Sequence, residues 1–274
     1  MIGNVDGKDN YGIRVVLRAA QLLDLLRRSD GGATLTQLSQ TSGIAKPTVF
    51  RILRTLKQTG LVERVPASDS YRLGVRCLEL GQAYLEQTDL RREAKPVLQD
   101  LRDQFNETVH LAVLDDDLRV VYLEKLEGGQ AIGIMMSRVG GTAPSFCTGL
   151  GKALLAYTAG DVVGQLEASG QLVRHTKNTL AAPDDLRREL KRIRERGYAL
   201  DLEEHEKGVR CAAAAVPGPE GEVLAAISLA GPGQRLSEQS LRTELAPAIM
   251  DAAAAIGVRL GARHGKFRHG DTRV

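Results

Sequence analysis

Three groups of residues in this 274-residue sequence have types and spacings suited to chemistry. The first is GIAKPTVFRILRTLKQTGLV, Gly43 to Val62, where Lys46, Arg51, Arg54 and Lys57 recur at helical steps. No acidic residue falls between Ala45 and Leu61. A guanidinium donates two parallel hydrogen bonds, which suits a guanine edge or a phosphate. The second is CTGLGKALLA, where Cys147, Gly149 and Gly151 surround the start of a helix. The first backbone N–H groups of a helix are free to bind a carboxylate, and Lys152 either reinforces that charge or points outward. The third is DLEEHEKGVRC, with Asp201 and Cys211 on either side of a tight turn that carries His205, and Ser228 on the strand beyond.

Each group has a plainer reading. The basic helix is an ordinary solvated surface helix, Gly149 and Gly151 serve close packing, Asp201 caps a turn, and Ser228 is a core hydroxyl bonded to backbone. Two other chemistries compete. Cys147 or Cys211 with His205 and Asp201 can be written as nucleophile, base and orienter of a Cys-dependent hydrolase, but nothing in the spacing fixes their geometry. The same residues are zinc-capable types, or thiols for a redox sensor, yet their spacing matches no compact zinc motif. GLGKA is not a phosphate-binding loop, because Phe146 stands where the first glycine belongs and Ala153 where Ser or Thr belongs. No motif asks for a cofactor. His110, in the alternating run TVHLAVL, reads as a satisfied strand residue. Cys77, Cys147 and Cys211 are too few and too scattered for a disulfide framework.

The elements around these groups follow from periodicity. Val15, Val16, Ala19, Leu22, Leu23 and Leu26 mark a first helix, ended by Gly31 and Gly32. A short helix spans about Thr36 to Thr41, Gly43 makes the turn, and a longer helix runs from about Pro47 to Thr59 until Gly60. Leu35, Leu38, Ile44, Val49, Ile52 and Leu56 fill the inner faces of that pair, leaving Pro47, Arg51, Arg54 and Gln58 outside. Thr48, near the helix start, suits a phosphate or a thymine methyl. Leu61 to Leu73 reads as a hairpin with Arg64 and Arg72 available for flanking phosphates. A helix pair with a glycine turn, a carboxylate-free outer face and a hairpin directly after it favours a winged helix-turn-helix over the solvated helix.

The second half mixes helices with antiparallel strands, an α+β pattern. A helix and two strands cover Glu93 to Glu127, another strand AIGIMMSRVG, a helix TGLGKALLAYT, and a charged helix Pro183 to Arg196 with Gly197 after it. A hairpin turns around Pro217 to Gly221 and a last helix closes the chain. The expected organisation is a flexible N-terminus 1–10, a DNA-binding domain 11–74, a linker helix 75–90, a second domain 91–260 and a basic flexible tail 261–274. Residues 1–80 carry 12 Lys and Arg against 7 Asp and Glu, whereas 81–260 carry 21 against 26. That asymmetry points to a polyanionic partner for the first part alone. No apolar run approaches the roughly 20 residues of a membrane helix, and MIGNVDGKDN lacks the order of a secretory signal, so no membrane partner and a cytoplasmic location are expected.

The run LTQLSQTSGIAKPTVFRILRTLKQTGLV resembles the winged helix-turn-helix of the IclR family of bacterial transcription regulators. APSFCTGLGKALLA and RGYALDLEEHEKGVRCAAAAVPGPEGEVLAAISLAGP resemble that family's effector domain. The resemblance spans roughly residues 11–260 in the family's order. It implies a GAF-like effector-binding domain with helices around a six-stranded antiparallel sheet, association into a homodimer or tetramer, a double-stranded DNA operator of pseudo-palindromic form, and repression of a catabolic operon. By the same match, Gly149 and Leu150 offer backbone N–H groups to a small carboxylate-bearing effector. Cys147 flanks that segment, Asp201, Cys211 and Ser228 contribute side chains, and Ile132, Met135, Ala143 and Val209 form an apolar wall. A polar position of better-known members is Ala230 here, which points to a larger or more apolar ligand than a very small 2-oxo acid.

Overall fold

The computed structural model describes residues 13–66, 68–87, 89–129 and 137–262. By contacts the chain divides into two units, Met1–Leu85 and Glu86–Val274. Most of the segment expected as a separate linker thus clusters with the first unit. The expected strand AIGIMMSRVG lies outside the described residues up to Met136, and so do the expected flexible N-terminus 1–10 and, from residue 263, the basic tail.

In the first unit, α1 (Arg14–Arg28), α2 (Leu35–Ser42) and α3 (Lys46–Gln58) surround a core of Leu22, Leu26, Leu38, Ile44, Val49, Leu53 and Leu56. Thr34 caps α2 in a reciprocal arrangement with Gln37, each satisfying a backbone donor of the other's segment. Gly43 ends α2 at φ 68°, the left-handed region in which a residue lacking Cβ turns the chain at little cost. β2 (Val62–Val65) and β3 (Ser70–Leu73) make the expected hairpin, with Val62 opposite Leu73. β1 (Ala33–Thr34), which the periodicity does not show, adds a third strand in the order β1-β3-β2. α4 (Val75–Gln87) follows.

The second unit opens with α5 (Asp89–Phe105) and the hairpin β4 (Thr108–Leu114) and β5 (Val120–Leu126). β6 (Thr142–Ala143), α6 (Gly149–Leu155), α7 (Val162–Ala168), α8 (Pro183–Arg196) and β7 (Ala199–Leu202) come next. β8 (Val209–Pro217) and β9 (Val223–Pro232) form the second hairpin. α9 (Glu238–Ser240) and a π-helical stretch, Leu241–Leu245, lead into α10 (Ala246–Arg259). The six strands pair antiparallel in the order β6-β5-β4-β9-β8-β7, the sheet that the resemblance implies. α8 buries Leu186, Leu190 and Ile193 at helical spacing, and Gly197 closes it at φ 87°. Those three residues join Phe146, Leu150, Leu154, Leu166, Ala112, Ala213 and Ala226 in one core. On β8 and β9 most inward side chains are alanines, which lets the helices lie close to the sheet.

Candidate functional site

The outer face of α3 is exposed at Lys46, Pro47, Arg51 and Arg54, with Thr48 half-buried. Val49, Ile52, Leu53 and Leu56 turn inward, so packing fixes which way the arginines point. Among the described residues neither Arg51 nor Arg54 is paired with a carboxylate, whereas the two wing arginines are. Arg64 pairs with Asp69 and Arg72 with Glu63, all at the surface. A ligand of the wing must displace or share these carboxylates, but a ligand of α3 need not. The sequence reading missed Phe50, an apolar ring 47% exposed on the face of Pro47 and Arg54. Its position between them at helical steps of three and four was the available signal.

The second site follows from strand register. Asp201 on β7 faces Cys211 on β8, and Cys211 faces Ala230 on β9. Two residues along, Ala213 faces Ser228, which faces His110 on β4. Side chains alternate across a pleated sheet, so Asp201, Cys211, Ser228, Ala230 and His110 all project from one face. That face is the one α6 covers: a Cβ built on Gly149 would lie 2.5 Å from Cys211 Sγ and 3.4 Å from the Ala213 methyl. Glycine at 149 is what allows this approach, so its packing role holds. Gly151 has no ligand role to explain, because a Cβ there would meet the Ser145 backbone at 2.2 Å. Thr148 caps α6, accepting from the Gly151 N–H at 3.2 Å and donating to the Pro144 carbonyl at 2.8 Å.

Between sheet and helix lies a cavity of about 50 Å³ lined by Gly149, Leu150, Asp201, Val209, Cys211 and Ser228, all expected, with Ala230. His110, Tyr122, Ser137, Thr148, His205 and Glu206 complete it. Ala143 and Cys147 do not line it: both are buried in the apolar core, Cys147 at 0% exposure. Ile132 and Met135 lie outside the described residues. The expectation for Lys152 is corrected as well. It neither points outward nor faces the cavity but is fully buried and pairs with Glu204.

Asp201 does cap its turn, accepting from the Glu204 N–H at 2.7 Å, and it also lines the cavity. Burial pushes its carboxyl up to about 7, against the opposing pull of Lys152. Burial likewise drives the Cys147 and Cys211 thiols well above their ordinary value, which disfavours the thiolate form a nucleophile needs. His110 is held neutral, its pKa lowered to about 3 by burial and then by Lys125. Among the described residues no three His, Cys, Asp or Glu converge so as to hold a metal ion, and no helix is long and apolar enough to cross a membrane.

Comparison with known proteins matches the same two segments. The family model described as the IclR helix-turn-helix domain matches residues 15–66, and that of the bacterial transcriptional regulator IclR C-terminal matches residues 82–258. The HTH-type transcriptional regulator XynR of Escherichia coli is 36% identical over 248 residues, covering 89% of this chain and 98% of its own. The transcriptional repressor IclR of the same organism is 31% identical, covering 91% and 90%. Among solved structures, an IclR homologue from Microbacterium hydrocarbonoxydans, complexed with 4-hydroxybenzoate, superposes with a TM-score of 0.73 at 26% identity, covering 90% of this chain and 98% of its own.

Proposed function

The chain belongs to the IclR family of bacterial transcriptional regulators, and from that premise we propose that it represses a catabolic operon by holding α3 in the major groove of a pseudo-palindromic operator until a small organic acid binds its cavity. The observation that carries the DNA reading is the exposed, carboxylate-free face of α3. Arg51 and Arg54 there are available for base edges, Lys46, Pro47 and Thr48 for the flanking backbone, and Phe50 for a thymine methyl. Arg64 and Arg72 on the wing serve phosphates once their surface ion pairs open.

A palindromic operator calls for a dimer, with two α3 helices about 34 Å apart in successive major-groove turns. Val15 and Val16 on α1 and Val75, Leu78 and Leu80 on α4 are more than half exposed. Such apolar surface is costly for a lone protomer, and a second copy of the chain would cover it. The dimer, or a tetramer built from it, works in the cytoplasm, where the operator is.

For the effector, the cavity supplies the Gly149 and Leu150 backbone, the Asp201, Cys211 and Ser228 side chains, and the apolar Val209 and Ala230. The homologue's complex with 4-hydroxybenzoate supports an aromatic or other small acid as the class. The effector acts only through unequal affinity for two arrangements of the DNA-binding units, coupled through the helix at 75–87.

The test is binding of the purified protein to its own upstream DNA at two salt concentrations, with a panel of carboxylic and aromatic acids. Sequence-selective, salt-sensitive binding that one acid weakens is expected. Binding without sequence preference, both to this DNA and in selection from a random pool, would remove the DNA reading.

A further inference from the structure

One end of the cavity carries a chain of three polar groups that the sequence did not show. His110 Nε2 lies 2.8 Å from Ser137 Oγ, and His110 Nδ1 lies 3.4 Å from Ser228 Oγ. All three side chains line the cavity, and His110 and Ser228 are 3% and 1% exposed. Their chain separations of 27 and 118 residues show that only folding brings them together.

A neutral imidazole has one N–H donor and one bare nitrogen. One serine must therefore donate to the ring, and the other must receive from it. Whichever way the chain runs, one hydroxyl keeps its proton for a ligand acceptor, and the other keeps only lone pairs for a ligand donor. A hydroxyl or phenol is both donor and acceptor and satisfies either end. A carboxylate only accepts and finds no compensating charge. Among the described lining residues there is no Lys or Arg, and the titratable acids there, Asp201 and Glu206, supply no positive charge. Lys125, the cation near this end, is turned to the Ser137 carbonyl at 2.9 Å and to Glu127 at 2.9 Å. Tyr122, its ring centroid 5.2 Å from that of His110, closes the same end with an apolar face.

We propose that the Ser137–His110–Ser228 relay is the specificity end of the effector cavity, selecting acids that carry an uncharged hydroxyl at the far end from their carboxylate or beside it, and rejecting dicarboxylates. The proposal rests on the reading of this cavity as the effector site. His110 is then a ligand-selecting residue, and the hydroxyl it reads takes the place of the polar partner lost at Ala230.

Two matched series test it by calorimetry on the full chain. One is 4-hydroxybenzoate, benzoate and terephthalate, which differ only in OH, H or COO⁻ at one ring position. The other is lactate, propionate and methylmalonate, which differ in the same way at one carbon. In at least one series the hydroxy acid should bind about tenfold more tightly than its unsubstituted partner, since a site built around a hydroxyl discriminates against its loss, and the dicarboxylate should bind weakest. His110→Gln should shrink that preference to about twofold or less. Ser137→Ala, at a half-buried hydroxyl, should do the same and stands in if the histidine variant fails to unfold cooperatively. A dicarboxylate that binds as tightly as the hydroxy acid, or a preference that survives both variants, overturns the relay while leaving an acid effector in place. If no acid of either series binds, both the relay and the acid-effector reading fall, and operator binding is judged separately by the DNA assay.

Discussion

Lys152 and Glu204, 52 residues apart in the chain, form an ion pair with the lysine side chain wholly buried and the glutamate nearly so. It ties α6 to the turn after β7, the two segments that frame the cavity, and leaves Glu204 Oε2 without a partner among the described residues. Burial raises the Glu204 carboxyl, and Lys152 draws it back.

Lys152→Met should therefore be severely destabilising, by about 3–5 kcal/mol, because it strands a buried carboxylate. Lys152→Met/Glu204→Leu should regain most of that loss. Urea unfolding of the two variants checks it. A single variant as stable as wild type would show that the pair carries no such strain.

Gly149→Ala brings a methyl against Cys211 Sγ, so overpacking should cost about 1–3 kcal/mol. Cys211→Ala in the same chain removes the clashing sulfur and should recover much of it, leaving ordinary contacts with the Ala213 methyl at 3.4 Å and the Asp201 backbone nitrogen at 3.7 Å. A double-mutant cycle in thermal unfolding measures this coupling, and additive effects would disprove the contact.

Arg51→Ala should cost roughly 1–3 kcal/mol of operator binding if its guanidinium makes a bidentate base contact, with specificity relaxed at one position. Arg64→Ala should weaken binding by less and alike on all sequences, because its side chain already has Asp69. Fluorescence anisotropy on operator and scrambled DNA separates the two outcomes. Equal, sequence-independent losses would place Arg51 on the phosphates.

Asp201 gives the cavity a pH dependence. Its carboxyl is raised from 3.8 to about 7, first by burial. Between those values the folded state keeps a proton that the unfolded chain has released. Its contribution to stability is therefore full below about pH 4, declines as pH rises towards 7, and levels off above that. Lys152, Glu204, His205 and Glu206 surround it, and a carboxylate ligand adds a further negative charge. Acid affinity should fall by up to about tenfold per pH unit above 7, with proton uptake on binding. Asp201→Asn should flatten that profile between pH 6 and 8.5 in calorimetry. A slope unchanged by the variant would assign the proton elsewhere.

Local patterns in the chain suffice for the parts whose signal lies within a few residues. α3 and its basic face are set by apolar residues at steps of three and four within 13 residues. The β8–β9 hairpin is set by its own turn, and α8 by Pro183 and Gly197. Six of the ten expected effector residues line the cavity because the matching segments are contiguous, so a position carries over with its neighbours. What local pattern could not show depends on partners distant in the chain. β1 and β6 are two residues each and are strands only because β3 and β5 lie beside them to pair with. Lys152 reads as a cation that either reinforces the helix start or points outward, until the turn at Glu204 folds over it. His110 reads as a finished strand residue, and its hydrogen bonds are indeed satisfied. Only the register of β4 against β9, and the return of the chain to Ser137, put that satisfied imidazole between two hydroxyls at the edge of a cavity. Side-chain chemistry is written in the sequence, but which groups share a low-dielectric space is decided by strand register, and there the energies of charge and hydrogen bonding are largest.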